Sequence, residues 1–408
     1  MFYLEISGKI NCKTMKIFRL SHSEQNFYFY STLRKDVSNL QILAKVAVLA
    51  LRVVYFFFKL FIKPRKKITL LSRQSNTPSV DFELLAKAIS ESDSNIELKM
   101  LTKKIPAGII GKVSYGFHIL EQMYHIASSK VIIVDGYCIA VCVLNHKQGQ
   151  KIIQLWHALN IVKKFGYSAL DKPWGHSAAT AKAMCMHRNY DYIVACSEKS
   201  AKVLARNFNT PPEKTVLLPL PRIDYILNSP QKYEEIRAVY PNIFEKPILL
   251  YAPTFRGEKV NLSQLQNIVD LEKYNVVVKL HPADKRGLDE EVHNKILCDS
   301  EFSSFEWMKV SESIITDYSG MGFEAMLLGK KVYYYLYDYE DYSTKNGLEL
   351  DLFSEDIAPF VTKDAKALCE ILKKDYDFSL EKRYVEKYLS VGTENCANRL
   401  SKFVISLL

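Results

Sequence analysis

"ESIITDYSGMGFEAMLLGKKVYYYLYD", residues 312–338, decides the fold. A β-rich run, "ESIITDYSG", leads into a helical pattern, "GFEAMLLGK", and a second β-rich run, "KKVYYYLYD", follows. Two strands joined through a helix lie parallel in one sheet. Both runs are close to continuously apolar, as expected of parallel strands covered on both faces.

The pattern repeats outward in both directions. Further strands are expected at "KITLLSR" (67–73), "SKVIIVDGY" (129–137), "KIIQLWH" (151–157), "YDYIVACS" (190–197) and "KTVLLPLPR" (214–222). The second half adds "KPILLYAPTFR" (246–256) and "YNVVVKLHP" (274–282). Helical patterns stand between them at "DFELLAKAISE" (81–91), "EKSAKVLARNF" (198–208) and "LSQLQNIVDLEKY" (262–274). The chain has 408 residues, too many for one ordinary core. Two doubly wound α/β units are therefore expected, with a boundary near residues 224–236. The expected organisation is an N-terminal region 1–65, units at 66–228 and 229–385, and tail helices in 386–408.

A net charge of +10 favours anionic partners, namely phosphates, acidic lipid surfaces or nucleic acid. Nucleic acid is disfavoured because no zinc-finger spacing, RNP-type aromatic motif or basic heptad region is present. The eight cysteines form no CxxC pair, and several sit in apolar runs such as "YCIAVCVL" (137–144). That usage fits reduced thiols in a reducing compartment. The opening residues have no continuous apolar h-region, so the catalytic parts are expected in the cytoplasm.

"LAKVAVLALRVVYFFFKLFIKPRKK", residues 43–67, is the most apolar stretch. Lys45, Arg52 and Lys59 recur every seven residues and Lys63 follows, so the charges share one helical stripe. A spanning helix needs about 20 apolar residues, and Arg52 at mid-bilayer would cost about 2.5 kcal/mol or more. The remaining readings are a core helix with a solvated basic edge and a helix at 41–63 lying in the membrane plane. In the second, Lys45, Arg52 and Lys59 reach lipid headgroups while Phe56, Phe57, Phe58 and Phe61 enter the acyl boundary. Arg65, Lys66 and Lys67 would add attraction to anionic lipid.

Open parallel sheets bind ligands beyond the carboxyl ends of their strands. Trp156 and His157 stand at one such end, with Lys163 and Lys164 beyond them. Thr254 and Arg256 follow a second, and His281 ends a third. Asp317, Tyr318 and Ser319 end a fourth and open a helix whose free amides suit an anion, with Gly320 and Gly322 permitting close approach. Each residue alone has an ordinary structural reading, Ser319 as a helix N-cap for example. Together, two histidines, an arginine, hydroxyls and a helix N-terminus suit a pyrophosphate and a proton transfer. "YDYEDY", with Asp338, Glu340 and Asp341, reads as an exposed acidic loop before it reads as a Mg²⁺ site. No His/Cys grouping has zinc-ligand spacing, and no metal or other cofactor is required.

Four blocks, "QLWHALNIVKKFG", "ILLYAPTFRG", "VVKLHP" and "ITDYSGMGFEAMLLGKKVYYYLYDYEDY", with "LPLPRID" between the first two, resemble the CDP-glycerol glycerophosphotransferase family. The chain departs from the family pattern at Ala158, where members carry Gly, and at Gly320 and Glu324, where they carry Ser and Asp. The resemblance implies a GT-B-like fold: two Rossmann-type domains facing across a cleft, with the C-terminal helix crossing back. It implies transfer of a polyol phosphate from CDP-glycerol or CDP-ribitol to an acceptor on a polyprenyl diphosphate lipid, releasing CMP at the cytoplasmic membrane face. By that analogy His157 is the general base. His281 and Arg256 bind the pyrophosphate, and Thr254, Ser319 and the amides near Gly320 hold phosphate oxygens. Glu324 meets the ribose, Asp317 holds the polyol or orients a histidine, and Lys163 and Lys164 meet acceptor phosphates beside Trp156. The rival expectations are a nucleotide-sugar transferase of surface polysaccharide synthesis and a membrane-attached scaffold binding nucleotide or polymer without turnover.

Overall fold

The computed structural model describes residues 42, 44–254, 268–280 and 296–408, so Arg256 and His281 lie outside the described residues. Two parallel six-stranded sheets organise what is described. The first holds β1 (Arg65–Ser72), β2 (Glu97–Thr102), β3 (Ser129–Val134), β4 (Lys151–Gln154), β5 (Tyr192–Ala195) and β6 (Thr215–Leu217), in the order β2-β1-β3-β4-β5-β6. The second holds β7 (Ile248–Ala252), β8 (Asn275–Val278), β9 (Ile296–Cys298), β10 (Ser313–Thr316), β11 (Lys331–Tyr335) and β12 (Val361–Thr362), in the order β12-β11-β10-β7-β8-β9.

Central strands such as β3 and β10 are buried almost throughout, which is why they read as continuous apolar runs. Both sheets reverse direction once. The chain leaves β1 toward β2 and returns on the other side at β3. It leaves β7 toward β8 and β9 and returns at β10. The crevices outside β1/β3 and β7/β10 are the topological switch points, where such sheets take ligands. Register sets the second one. Thr316 pairs with Ala252, so Asp317 emerges beside Pro253 and Thr254.

The helices that matter for the site are α1 (residues 44–61), α2 (Val80–Ser92), α3 (Gly108–Ser128), α4 (Arg222–Asn228), α5 (Met321–Leu327), α6 (Phe378–Tyr388) and α7 (Cys396–Ser406). The chain divides into a unit of residues 1–50 and a unit of residues 51–408; both sheets belong to the second. The last helix packs on α2 and α4, back against the first sheet's layer. Its N-cap Asn395 makes no side-chain cap. Asp224 of α4 takes over that task, accepting from the amides of Cys396 (3.0 Å) and Ala397 (2.8 Å). A carboxylate on two orphan amides at a helix N-terminus also faces the positive end of its dipole.

From Leu51 onward, α1 inverts the expectation of a core helix with a solvated basic edge. Arg52 Nε donates to the Val143 carbonyl at 2.7 Å, so Arg52 anchors the helix to the protein and does not reach toward headgroups. Tyr55 beside it is buried, and the Lys147 ammonium donates to the Ile62 carbonyl. The outward face is apolar instead, carrying Val53, Phe56, Phe57, Leu60 and Phe61, the last 82% exposed. Among the described residues no helix is long and apolar enough to cross a membrane.

Candidate active site

Beyond β4 the chain turns sharply at Trp156, whose φ of 62° is rare for a bulky residue. Two local devices hold it there. Gln154 Oε1 accepts from the Trp156 amide at 2.9 Å, and the indole stacks on Phe165 at 4.1 Å with a tilt of 18°. The other side of the turn presents His157, its ring 4.0 Å from the indole.

His157 Nδ1 lies 2.8 Å from the backbone carbonyl of Asp135, at the end of β3. A carbonyl only accepts, so Nδ1 carries the proton and Nε2 of the neutral ring is a bare lone pair. Burial lowers the His157 pKa below its ordinary value, opposed by that hydrogen bond. A neutral imidazole with its tautomer fixed by the backbone is a proton acceptor poised for use.

The second switch point carries the loop Asp317–Gly320. Asp317 is buried and accepts from the Thr254 amide through both oxygens, at 2.9 and 3.1 Å, tying the β10 end to the β7 end. Ser319 Oγ accepts from the Met321 amide at 3.2 Å. Tyr318 turns inward. Its ring stacks on Tyr342 at 3.8 Å and its hydroxyl donates to Asp338, so what it presents to the crevice is backbone. The two glycines differ. A Cβ at Gly320 would meet only the Asn160 carbonyl, at 3.9 Å, whereas one at Gly322 would strike Tyr334, 2.8 Å from its Cζ. Gly322 therefore makes room for a core tyrosine, and Gly320 alone leaves the crevice open.

The two switch points meet. Asn160, three residues beyond His157, reaches Tyr384 of α6 with its amide at 2.6 Å while its carbonyl approaches Gly320. The Lys164 amide donates to Gly347 at 3.2 Å and the Glu349 amide to Val162 at 2.9 Å. Lys163 lies over the Tyr342 ring at 5.5 Å, and Lys164 is exposed.

Arg222, the first residue of α4, joins both sides. It holds Asp81 of α2 through Nε at 2.7 Å and Nη2 at 2.6 Å. Its Nη1 donates to the His157 carbonyl at 2.9 Å and approaches Glu324 Oε1 of α5 at 3.4 Å. Burial raises the Glu324 pKa above the ordinary carboxylate range, and the Arg222 charge opposes the rise.

Three participants escape a reading of the sequence: Asp81, Asp135 and Arg222. Asp135 stands after a strand in "VIIVDGY" as Asp317 does in "IITDYSG", so the strand-end rule reaches it. Its carboxyl is buried, its Oδ2 has no hydrogen-bond partner, and burial pushes its pKa up to about 6. In the acidic loop, Glu340 pairs with Lys363 at 2.6 Å and Asp341 with Lys345 at 2.8 Å. Among the described residues no group of three or more His, Cys, Asp or Glu is placed to hold a metal ion.

The teichoic acid ribitol-phosphate primase of Bacillus spizizenii is 28% identical, over 84% of this chain and 91% of that protein. The teichoic acid glycerol-phosphate primase of Bacillus subtilis is also 28% identical, over 86% of this chain and 95% of that one. A solved structure of the wall teichoic acid polymerase TagF soaked with CDPG shares the fold. Its TM-score is 0.63 at 16% identity, covering 92% of this chain and 98% of that one. The model of the family described as CDP-Glycerol:Poly(glycerophosphate) glycerophosphotransferase matches residues 53–406, and the chain belongs to that family.

Proposed function

We propose that this chain transfers glycerol phosphate or ribitol phosphate from its CDP ester to a hydroxyl of a lipid-linked teichoic acid acceptor, releasing CMP. The observation that carries the reading is a neutral His157 with Nε2 bare, set at one switch point against the Asp317–Gly320 loop of the other. In the proposed step an acceptor hydroxyl oxygen attacks the β-phosphorus of the donor, and its proton passes to His157 Nε2. The bond from β-phosphorus to the bridging oxygen breaks, and that oxygen leaves with CMP. Such transfers need positioning and charge neutralisation more than covalent help. Thr254, Ser319 and the Gly320 backbone are assigned to phosphate oxygens, with Arg256 and His281 binding the donor's pyrophosphate and steadying charge on the departing CMP. Glu324 is assigned to the ribose, Asp317 to the loop that grips the donor, and Trp156, Lys163 and Lys164 to the acceptor's path.

Attachment to the cytoplasmic face of a membrane is part of the same proposal. Its support is the apolar outer face of α1 and a second exposed stripe on α3. The latter is formed by Ile110, Val113, Phe117 and Tyr124 at helical spacing, with Ile110 87% and Phe117 70% exposed. Basic side chains Lys59, Lys63 and Lys147 lie together at the end of α1, as an anionic surface would require.

The test is product analysis with CDP-glycerol, CDP-ribitol and UDP-sugars against a lipid-linked acceptor analogue. CMP release with a polyol phosphate added to the acceptor is the expected result. Turnover of a UDP-sugar alone would overturn the reading.

A further inference from the structure

One guanidinium touches both halves of the proposed site. Arg222 is set by Asp81, which is buried in the first turn of α2 and takes three bonds: the Arg222 amide at 2.8 Å, Nε and Nη2. That leaves Nη1 directed at the His157 carbonyl and at Glu324. The planar fork matters here. A lysine ammonium has no second arm to hold Asp81 while reaching two acceptors beyond it.

We infer that Arg222 is a positioning residue for phosphoryl transfer: anchored by Asp81, it locks the backbone of His157 to the helix carrying Glu324, and so sets the span from base to donor. The inference rests on the polyol-phosphate transfer reading above. A displacement of about 1 Å between reacting groups costs roughly 10²-fold in rate. The links through Asn160, Val162 and Lys164 attach the loop beyond His157, and the backbone carbonyl of His157 itself is held by Arg222.

The same groups tune the base. His157 is faced by Asp135 at the end of β3, Asp81 of α2 and Arg222 of α4, with Glu324 of α5 behind Arg222. The Arg222 charge disfavours the imidazolium, and the Asp81 charge favours it. Removing either charge should therefore shift the His157 titration in opposite directions.

The experiment compares the full chain with Arg222→Gln, Arg222→Lys and Asp81→Asn, each checked for cooperative unfolding. Steady-state kinetics with the CDP-polyol should show kcat of Arg222→Gln down by about 10²-fold. Donor KM should stay near the parent value, with partial recovery in Arg222→Lys. The acid limb of kcat/KM should move to higher pH in Arg222→Gln and to lower pH in Asp81→Asn. NMR titration of His157, which needs no turnover, should move the same way. Parent-like kcat in Arg222→Gln, or both variants moving the His157 titration in one direction, overturns the inference. A parent protein that releases no CMP from either CDP-polyol defeats the transfer reading instead, and the NMR titration still decides whether Arg222 and Asp81 govern His157.

Discussion

Asp135→Asn replaces the least comfortable group near the base and should make the protein more stable at neutral pH. Burial raises the Asp135 carboxyl from an ordinary 3.8 to about 6, while a hydrogen bond from Ser72 pulls the other way. The folded value lies above the unfolded one, so the unfolded chain gives up its proton first as pH rises. Folding stability contributed by this group is then full below about 4 and is lost as pH climbs through about 6. At about 1.4 kcal/mol per tenfold, holding the ionised carboxylate in place at pH 7.5 costs about 3 kcal/mol. At pH 4.5 the same arithmetic leaves about 1 kcal/mol. Asparagine keeps the shape and an acceptor for Ser72, and the backbone carbonyl that holds His157 is unchanged. Urea unfolding of both proteins from pH 4.5 to 8 should show a gain that grows with pH along this curve. A difference that is flat with pH, or a variant less stable than its parent at pH 7.5, refutes the reasoning.

His157→Ala and His281→Ala should each lower CMP release by about 10²-fold or more with the unfolding transition intact; near-parental turnover in either variant removes that histidine from the mechanism. Phe57→Ser combined with Phe61→Ser should weaken sedimentation with anionic phosphatidylserine vesicles while leaving thermal unfolding near the parental value, since both rings are already exposed, at 53% and 82%. Undiminished vesicle binding would show that α1 does not carry the attachment.

What the sequence makes legible follows from burial. Strands in the middle of each sheet are covered on both faces and announce themselves as unbroken apolar runs. The three strands that such runs do not disclose, β2, β9 and β12, all lie at sheet edges. In β2, "ELKMLT" alternates charged and apolar residues because it is mostly half-exposed, and β9 and β12 are three and two residues long. The long helix α3 hides for another reason. Met123 and Ile126 face the core while Ile110, Val113 and Phe117 face outward, so apolar residues surround it and no single stripe emerges. Its N-cap, Ala107, offers no side-chain signal either. In the site, the strand-end rule reaches His157, Thr254 and Asp317 because topology fixes where the chain emerges from each strand. It does not find the pairing of Asp81 with Arg222, since two residues 141 apart meet only through the fold. Nor does it show that Gly322 serves Tyr334, a matter of core packing rather than of ligand access.

The features that make the site chemically able are the ones that weaken the fold around it. A tryptophan at φ 62° and a buried carboxyl with a bare oxygen each cost on the order of 1–3 kcal/mol, and both flank His157. Structural need does not account for them. A residue without a side-chain penalty would make the turn at 156 more easily, and a neutral residue would fill position 135 at no electrostatic cost. Both become intelligible if the turn must hold an imidazole with Nδ1 on the Asp135 carbonyl and Nε2 left as the proton acceptor. The strain is sustained by what surrounds it: the stacked rings of Trp156 and Phe165, the Gln154 bond, and the apolar interior of β3 and β4 beneath. Across the crevice Asp317 is already satisfied by the Thr254 amide, and Glu324 has the Arg222 guanidinium beside it. The division of labour is then physical. On the proposed reading, the first sheet stores the strain that orients the proton acceptor, the second supplies the cradle for the diphosphate, and Arg222 keeps the two at a working distance.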